Sequence, residues 1–246
     1  MTKNLSLSGT ALITGASKRI GRAIAIHLAQ SGFNLALHYY RSEDEAKALA
    51  SELSVFGVRI SLLRADLSDS AAVQGLMAEA VKALGPIRVL INNASLFASD
   101  DIYSFSTASY NAHLSTNLLA PLLLSQAFAA QSDLPKDAAI INLIDQRVLN
   151  PSPDFFSYGL SKSALWHSTQ TLAQALAPQI RVNAIGPGPT LQSIHQTADD
   201  FAKEAMATLL QKSASPDDVA EAVLFLINAK SITGQMICVD SGQHLS

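Results

Sequence analysis

Three observations predict an α/β fold with a doubly wound parallel sheet of about seven strands and helices on both faces. Strand-length apolar runs alternate with helix-period segments along all 246 residues. The runs are almost continuously apolar, as strands covered on both faces require. No composition shift marks a boundary, so residues 1–246 read as one domain of ordinary size.

The candidate strands are Ala11–Thr14, Asn34–Tyr40, Arg59–Asp66, Val89–Asn93, Ala138–Asp145, Arg181–Gly186 and Met236–Asp240. The first runs into Thr14-Gly15-Ala16-Ser17-Lys18-Arg19-Ile20-Gly21 and then an Ala/Ile-rich helix. After the second, Ala46, Leu49, Ala50, Leu53 and Phe56 recur at helical spacing, and Glu43 precedes Lys47 by one turn. Ser215-Pro216-Asp217-Asp218 opens the last long helix with a hydroxyl cap, a proline in the first turn and two acids at the positive dipole end. This alternation is the pattern of a Rossmann-type sheet. The segment Thr190–Lys212 breaks the rhythm after a Gly-Pro-Gly-Pro turn and reads as a mobile helical flap over the site.

Composition removes several function classes. The net charge of −3 argues against a nucleic-acid partner, whose phosphates demand a basic face. Cys238 is the one cysteine, so no disulfide framework or cysteine-based zinc site is expected, and no metal. Met1-Thr2-Lys3-Asn4 leads into no signal-peptide core, and no apolar run has the length of a membrane span. The expected location is cytoplasmic, with no membrane partner.

Glycine in the first strand-to-helix turn lets backbone approach a pyrophosphate, and the helix behind it offers free N–H groups. The spacing Gly15 to Gly21 is wider than G-x-G-x-x-G, and Arg19 stands where a middle glycine is expected. Alone, this is a plain turn; its place after the first strand makes it a dinucleotide site. NAD enzymes carry an acid at the end of the second strand for the ribose hydroxyls. Here that strand ends His38-Tyr39-Tyr40-Arg41-Ser42, with no acid. Arg41 and Ser42, with Lys18 and Arg19 in the turn, suit a 2′-phosphate, so NADPH is the expected cofactor.

Tyr158 and Lys162 lie four residues apart, on one helix face. A phenol near its reference pKa of about 10 is a weak acid–base group at neutral pH, and the ammonium is expected to lower it. Asp145 ends the fifth strand, Asn93 ends the fourth, and Asn117 sits on the helix that follows. Asp145 and Asn93 fall at the carboxyl edge of the sheet, where ligands of such sheets bind. Taken singly, several residues have bland readings: Asp145 as a helix cap or a surface loop acid, Phe97 as a core or rim aromatic, Arg147 as a solvated arginine, His195 as a surface residue.

Jointly, the chain is similar to the classical short-chain dehydrogenase/reductase family over essentially its whole length. The resemblance rests on Thr14–Gly21, Asp66, Asn92-Asn93-Ala94, Asn117, Tyr158/Lys162, Pro187-Gly188, and Thr233-Gly234-Gln235 leading to Val239-Asp240. It departs from that pattern at Arg19, at Ser95 in place of a glycine, and at Asp145 in place of a catalytic serine. With His38–Ser42, these departures resemble the pteridine reductase branch, which includes the bacterial dihydromonapterin reductases. The resemblance implies cofactor contacts from Gly15, Lys18, Arg19, Ile20, Gly21, His38, Tyr39, Tyr40, Arg41, Ser42, Asp66, Leu67, Asn93, Ala94, Ser95, Asn117, Tyr158, Lys162, Pro187 and Gly188. It implies a catalytic set of Asp145, Tyr158 and Lys162. Substrate contacts would come from Arg19, Ser95, Phe97, Asp145 and Tyr158, with Phe97 stacked on a pterin ring, in a homotetramer.

The serine-to-aspartate departure has a chemical reading. A serine hydroxyl can donate to a ketone oxygen, whereas an ionised carboxylate repels a developing alkoxide. Reduction of a ring C=N delivers its proton to nitrogen and builds no oxyanion. The expected reaction is therefore hydride transfer from NADPH to a C=N bond of a dihydropterin or dihydrofolate-like substrate, with Tyr158 as proton donor. Two rivals stand beside it. A carbonyl or 3-oxoacyl reductase is opposed by Asp145, and a non-catalytic NADP-binding regulatory protein by the intact Tyr158/Lys162 pair.

Overall fold

The computed structural model describes residues 9–193 and 195–246. The Met1–Asn4 stretch, and Ile194 of the flap segment, lie outside them. Seven strands form one all-parallel sheet in the order β3-β2-β1-β4-β5-β6-β7. They are β1 (Gly9–Ile13), β2 (Phe33–Tyr39), β3 (Ile60–Arg64), β4 (Val89–Asn92), β5 (Ala138–Leu143), β6 (Ile180–Pro187) and β7 (Met236–Val239). Each expected strand is present, with ends moved by one or two residues. The largest trims are at Asp66 and Asp145, which fall in the loops just past β3 and β5.

Among the described residues there are eight α-helices: α1 (Arg19–Gln30), α2 (Glu43–Leu53), α3 (Ser70–Leu84), α4 (Thr107–Leu114), α5 (Ala120–Ala129), α6 (Phe156–Leu176), α7 (Ala198–Ala207), which borders the cleft described below, and α8 (Pro216–Asn228). Strand side chains alternate between two cores, as the period of two demands. Leu35, Leu37, Val89 and Ile91 pack with α1, α2 and α8, while Ala36, Leu90 and Ile140 pack with α3 and α5. The central strands are buried throughout; the edge strand β7 is only half-buried along its length. Continuous apolarity thus marks the centre of the sheet better than its rims.

Local expectations fare differently. Glu43 and Lys47 pair at 2.7 Å. Ser215 and Asp218 form a reciprocal capping box at the start of α8. The α2 stripe ends earlier than its spacing suggests. Ala46, Leu49 and Leu53 are buried, but the chain tightens into a 3-10 turn at Ser54–Phe56, leaving Phe56 40% exposed. No helix among the described residues is long and apolar enough to cross a membrane.

The sheet order places β4 on the far side of β1 from β2, so connections depart in opposite directions there. The crevice outside the carboxyl ends of β1 and β4 is the topological switch point where such sheets bind ligands.

Candidate active site

A cleft of about 1090 Å³ opens at that switch point. One end is built by the β1–α1 turn. Gly15 has φ +61, a backbone state that favours glycine. A Cβ on Gly21 would lie 2.2 Å from the Gly15 carbonyl oxygen and 2.6 Å from Asn93 Nδ2, so only hydrogen fits. Asn93 Nδ2 donates to the carbonyls of Thr14 (2.9 Å) and Gly15 (3.0 Å), and Thr14 Oγ1 accepts the N–H groups of Asn93 and Ala94. His38, buried on β2, accepts the Gly15 N–H on Nδ1 at 3.1 Å. An amide can only donate, so Nδ1 is unprotonated and Nε2–H donates to the Ala65 carbonyl at 3.1 Å. Burial lowers the His38 pKa, against the raising effects of that carbonyl and Asp66, and keeps the ring neutral. Both ring nitrogens are therefore committed to holding the turn.

The first turn of α1 has no side-chain cap and no acidic residue, which leaves its N–H groups free at the positive dipole end. Arg19 takes φ +53, the conformation a glycine would adopt without cost. Its guanidinium donates to the carbonyls of Leu191 (3.1 Å) and Gln192 (2.9 Å) on the flap segment. Lys18 pairs with Glu45 at the surface. Ser17 and Ser42 share a hydrogen bond of 2.6 Å, and the Arg41 guanidinium lies 4.8 Å over the Tyr40 ring. Ile20, Tyr39, Asp66 and Leu67 line the same end. Hydrogen bonds from Ser68 hold the Asp66 carboxyl below the usual range.

The other end is carried by α6 and the β5 loop. Tyr158 is buried, and its Oη donates to Asp145 Oδ2 at 2.8 Å. Asp145 Oδ1 accepts the Arg147 N–H at 2.9 Å, so the aspartate caps the 3-10 turn Gln146–Val148 and holds the phenol at once. Burial raises the Asp145 pKa; the Arg147 N–H and charge, the Tyr158 hydroxyl and Lys162 oppose it. Burial, then the Asp145 charge and hydrogen bond, push the Tyr158 phenol well up. This reverses the lowering expected from Lys162. Burial is the main cause; beside it, the carboxylate touches the phenol, while Lys162 Nζ lies 5.7 Å from the ring centroid and donates to the Leu143 carbonyl at 2.8 Å. Burial brings Lys162 itself down to about 8.

Several neighbours position this pair. Phe155, the residue capping α6, has φ +55 and supplies no side-chain cap. Asp100 substitutes, accepting the Ser157 N–H at 2.9 Å and the Ser109 hydroxyl at 2.7 Å. Asn117 is buried in a π-helical turn (Ser115–Leu119) between α4 and α5. It accepts the Leu96 N–H and donates to the Leu96 carbonyl and Ser161 Oγ, tying the 95–97 loop to α6. Ser95 is exposed beside it. Pro187, the last residue of β6, and Gly188 form the cleft wall there.

Phe97 stacks on Phe155 at 4.3 Å between centroids and meets Tyr158 edge-on at 4.8 Å. Arg147, expected to be solvated, instead lies inside the cleft, 5.2 Å over Phe155 and 6.0 Å over Phe97. The 3-10 turn capped by Asp145 directs it there. His195 is exposed as expected, yet its ring rests on Phe97 and Phe155 at the cleft mouth. Asp100, Phe155 and Glu204 carry no motif and were not expected at the site. A helix start lacking a Ser, Thr, Asn or Asp cap at position 155 is the one sequence signal that points to Asp100.

A glycine-turned α/β sheet with a buried Tyr–Lys pair at its carboxyl edge defines a dinucleotide-dependent oxidoreductase. The family profile described as enoyl-(acyl carrier protein) reductase matches residues 15–244. The 3-oxoacyl-[acyl-carrier-protein] reductase FabG of Staphylococcus aureus is 31% identical, covering 98% of this chain and 100% of its own length. Among solved structures, FolM alternative dihydrofolate reductase 1 from Brucella canis, complexed with NADP, is 41% identical with a TM-score of 0.91, covering 99% of this chain and 97% of its own. The Brucella suis FolM, also with NADP, is 42% identical with a TM-score of 0.90, covering 97% and 96%. The chain belongs to the short-chain dehydrogenase/reductase family and is an NADP-dependent reductase. The uncapped first turn of α1, the space left by Gly21, and the absence of an acid at the end of β2 fit NADPH.

Proposed function

We propose that this enzyme reduces a C=N bond of a pterin, a dihydropterin or dihydrofolate-like substrate, with Asp145, Tyr158 and Lys162 as its catalytic residues. The bond from Tyr158 Oη to Asp145 Oδ2 carries the reading. An ionised carboxylate in this place has no proton to give a ketone oxygen and repels a developing alkoxide, whereas a proton passed from Tyr158 to nitrogen builds no oxyanion beside it. The FolM neighbours add support. Bound NADPH supplies the hydride to the ring carbon. Tyr158 gives its proton to the ring nitrogen. Asp145, hydrogen-bonded to the phenol, relays a proton from solvent to the phenolate. Lys162, fixed on the Leu143 carbonyl, keeps a positive charge near the phenolate while it exists. Phe97 offers the flat face for the ring. Arg19 and Ser95 contact substrate beside the cofactor, and residues 190–212 close over it. The enzyme works as a cytoplasmic homotetramer.

The test is NADPH oxidation with dihydrobiopterin, dihydromonapterin and dihydrofolate, beside an acetoacetyl thioester. Turnover of at least one of the first three is expected; none would sink the assignment. Asp145→Ala is expected to lose about 100-fold in kcat, and near-normal turnover would remove Asp145 from the mechanism. The second reading, a 3-oxoacyl thioester reductase, is favoured by the FabG relatives and would show as turnover of the thioester alone.

A further inference from the structure

We propose that Arg147 is a substrate-binding residue, aimed by Glu204 so that its guanidinium takes an acceptor atom on the edge of a flat substrate. The pterin reading supplies the identity of the flat ring; the binding role itself stands on the following geometry. Arg147 follows Asp145 by two residues, and its own N–H fixes the carboxylate that holds Tyr158. Its guanidinium lies over Phe155 and near Phe97, the two rings that floor the cleft. Its side chain is 27% exposed, and Nη1 is buried with no hydrogen-bond partner among the described residues. A charged donor left unpaired in this way is costly, and native proteins supply it an acceptor.

Glu204 on α7 directs the guanidinium without satisfying it. It stands 3.9 Å from Nη2, within reach as a charge but too far for a hydrogen bond. Both of its oxygens are engaged elsewhere, Oε2 by Gln196 Nε2 at 2.6 Å and Oε1 by Gln243 Nε2 at 3.0 Å. A second orphan follows from the same chain. Glu204 only accepts, so Gln243 turns its amide N–H to it and its Oε1 to Gln146 Nε2 at 2.9 Å. Gln146 Oε1 is then left over, on a side chain 4% exposed that lines the cleft. An unpaired donor and an unpaired acceptor thus follow Asp145 in successive residues. They suit a heterocycle whose edge carries both an acceptor and a donor.

The experiment measures substrate Kd on NADP-loaded protein, KM, kcat and NADPH Kd for wild type, Arg147→Met, Arg147→Lys and Glu204→Gln. Dihydrobiopterin and an acetoacetyl thioester are the two probes. Methionine fills the space over Phe155 without the charge. Arg147→Met is expected to raise Kd and KM for the bound probe about 30-fold, with NADPH Kd unchanged. Arg147→Lys and Glu204→Gln should fall between it and wild type. If wild type takes only the thioester, the pterin reading fails, and the same shift on the thioester still supports Arg147. A shift within twofold, or an equal loss of NADPH affinity, overturns the role of Arg147 alone. If wild type binds neither probe, both proposals fall.

Discussion

At the phosphate-turn end of the cleft the structural work falls on backbone: Gly15, Gly21, the Thr14 carbonyl and the free N–H groups of α1, held by His38 and Asn93 from behind. At the other end the wall is side chain: Phe97, Phe155, Arg147 and Glu204, drawn from four separate segments. The backbone end tolerates little volume change, because its groups have no rotamers with which to adapt. The side-chain end can be re-cut for a new ligand without disturbing the turn.

Four experiments bear on that contrast, from the largest expected effect to the smallest. Tyr158→Phe removes one hydroxyl from the side-chain end. Its kcat is expected to drop by roughly 1000-fold while NADPH Kd stays put; equal losses in both would erase the division between the ends. Gly21→Ala places a methyl group against the Gly15 carbonyl. Overpacking of this sort costs about 1–3 kcal/mol, and NADPH affinity is expected to fall by at least about tenfold. Calorimetric Kd and thermal unfolding would show it, and wild-type values would mean that the turn relaxes freely.

Titration of Lys162 sharpens the contrast further. Its ammonium is lost as pH rises through about 8, so kcat is expected to fall above that value. Stability moves the other way. The folded pKa lies below the unfolded reference of about 10.4, so the unfolded chain binds more protons between the two values, and this residue's contribution to stability rises with pH there. A kcat that stays flat from pH 7.5 to 9.5 would remove the charge from the mechanism. Last, His38→Leu should weaken NADPH binding about tenfold or less by releasing the Gly15 N–H. His38→Asn, which can still accept, should recover part of it; no recovery would mean that ring volume is what matters.

The same contrast explains what the sequence makes legible. Gly21, the Tyr158–Lys162 spacing and the missing acid after β2 are local patterns imposed by backbone geometry, so they can be read without coordinates. Phe155 and Arg147 cannot, because their directions depend on a left-handed residue and a 3-10 turn that no composition signal announces. The upward shift of the phenol is hidden from the sequence for a related reason. Sequence gives Lys162 as its neighbour along the helix, but it shows neither the burial of the phenol nor that the group touching it is Asp145, in the loop just past β5, thirteen residues earlier. The uncapped helix start at position 155 shows that a substitute cap is needed, but not that Asp100 supplies it, since its partners Ser109 and Ser157 meet it only in three dimensions.

Arg19 sets two demands against each other at one position. Its left-handed backbone costs about 1–2 kcal/mol that glycine would not incur, yet its guanidinium holds the carbonyls of Leu191 and Gln192. Directed evolution toward heat resistance should therefore find Arg19→Gly readily, and variants so obtained should carry a looser cover over the cleft. Thermal tolerance and closure would be selected in opposite directions through a single codon.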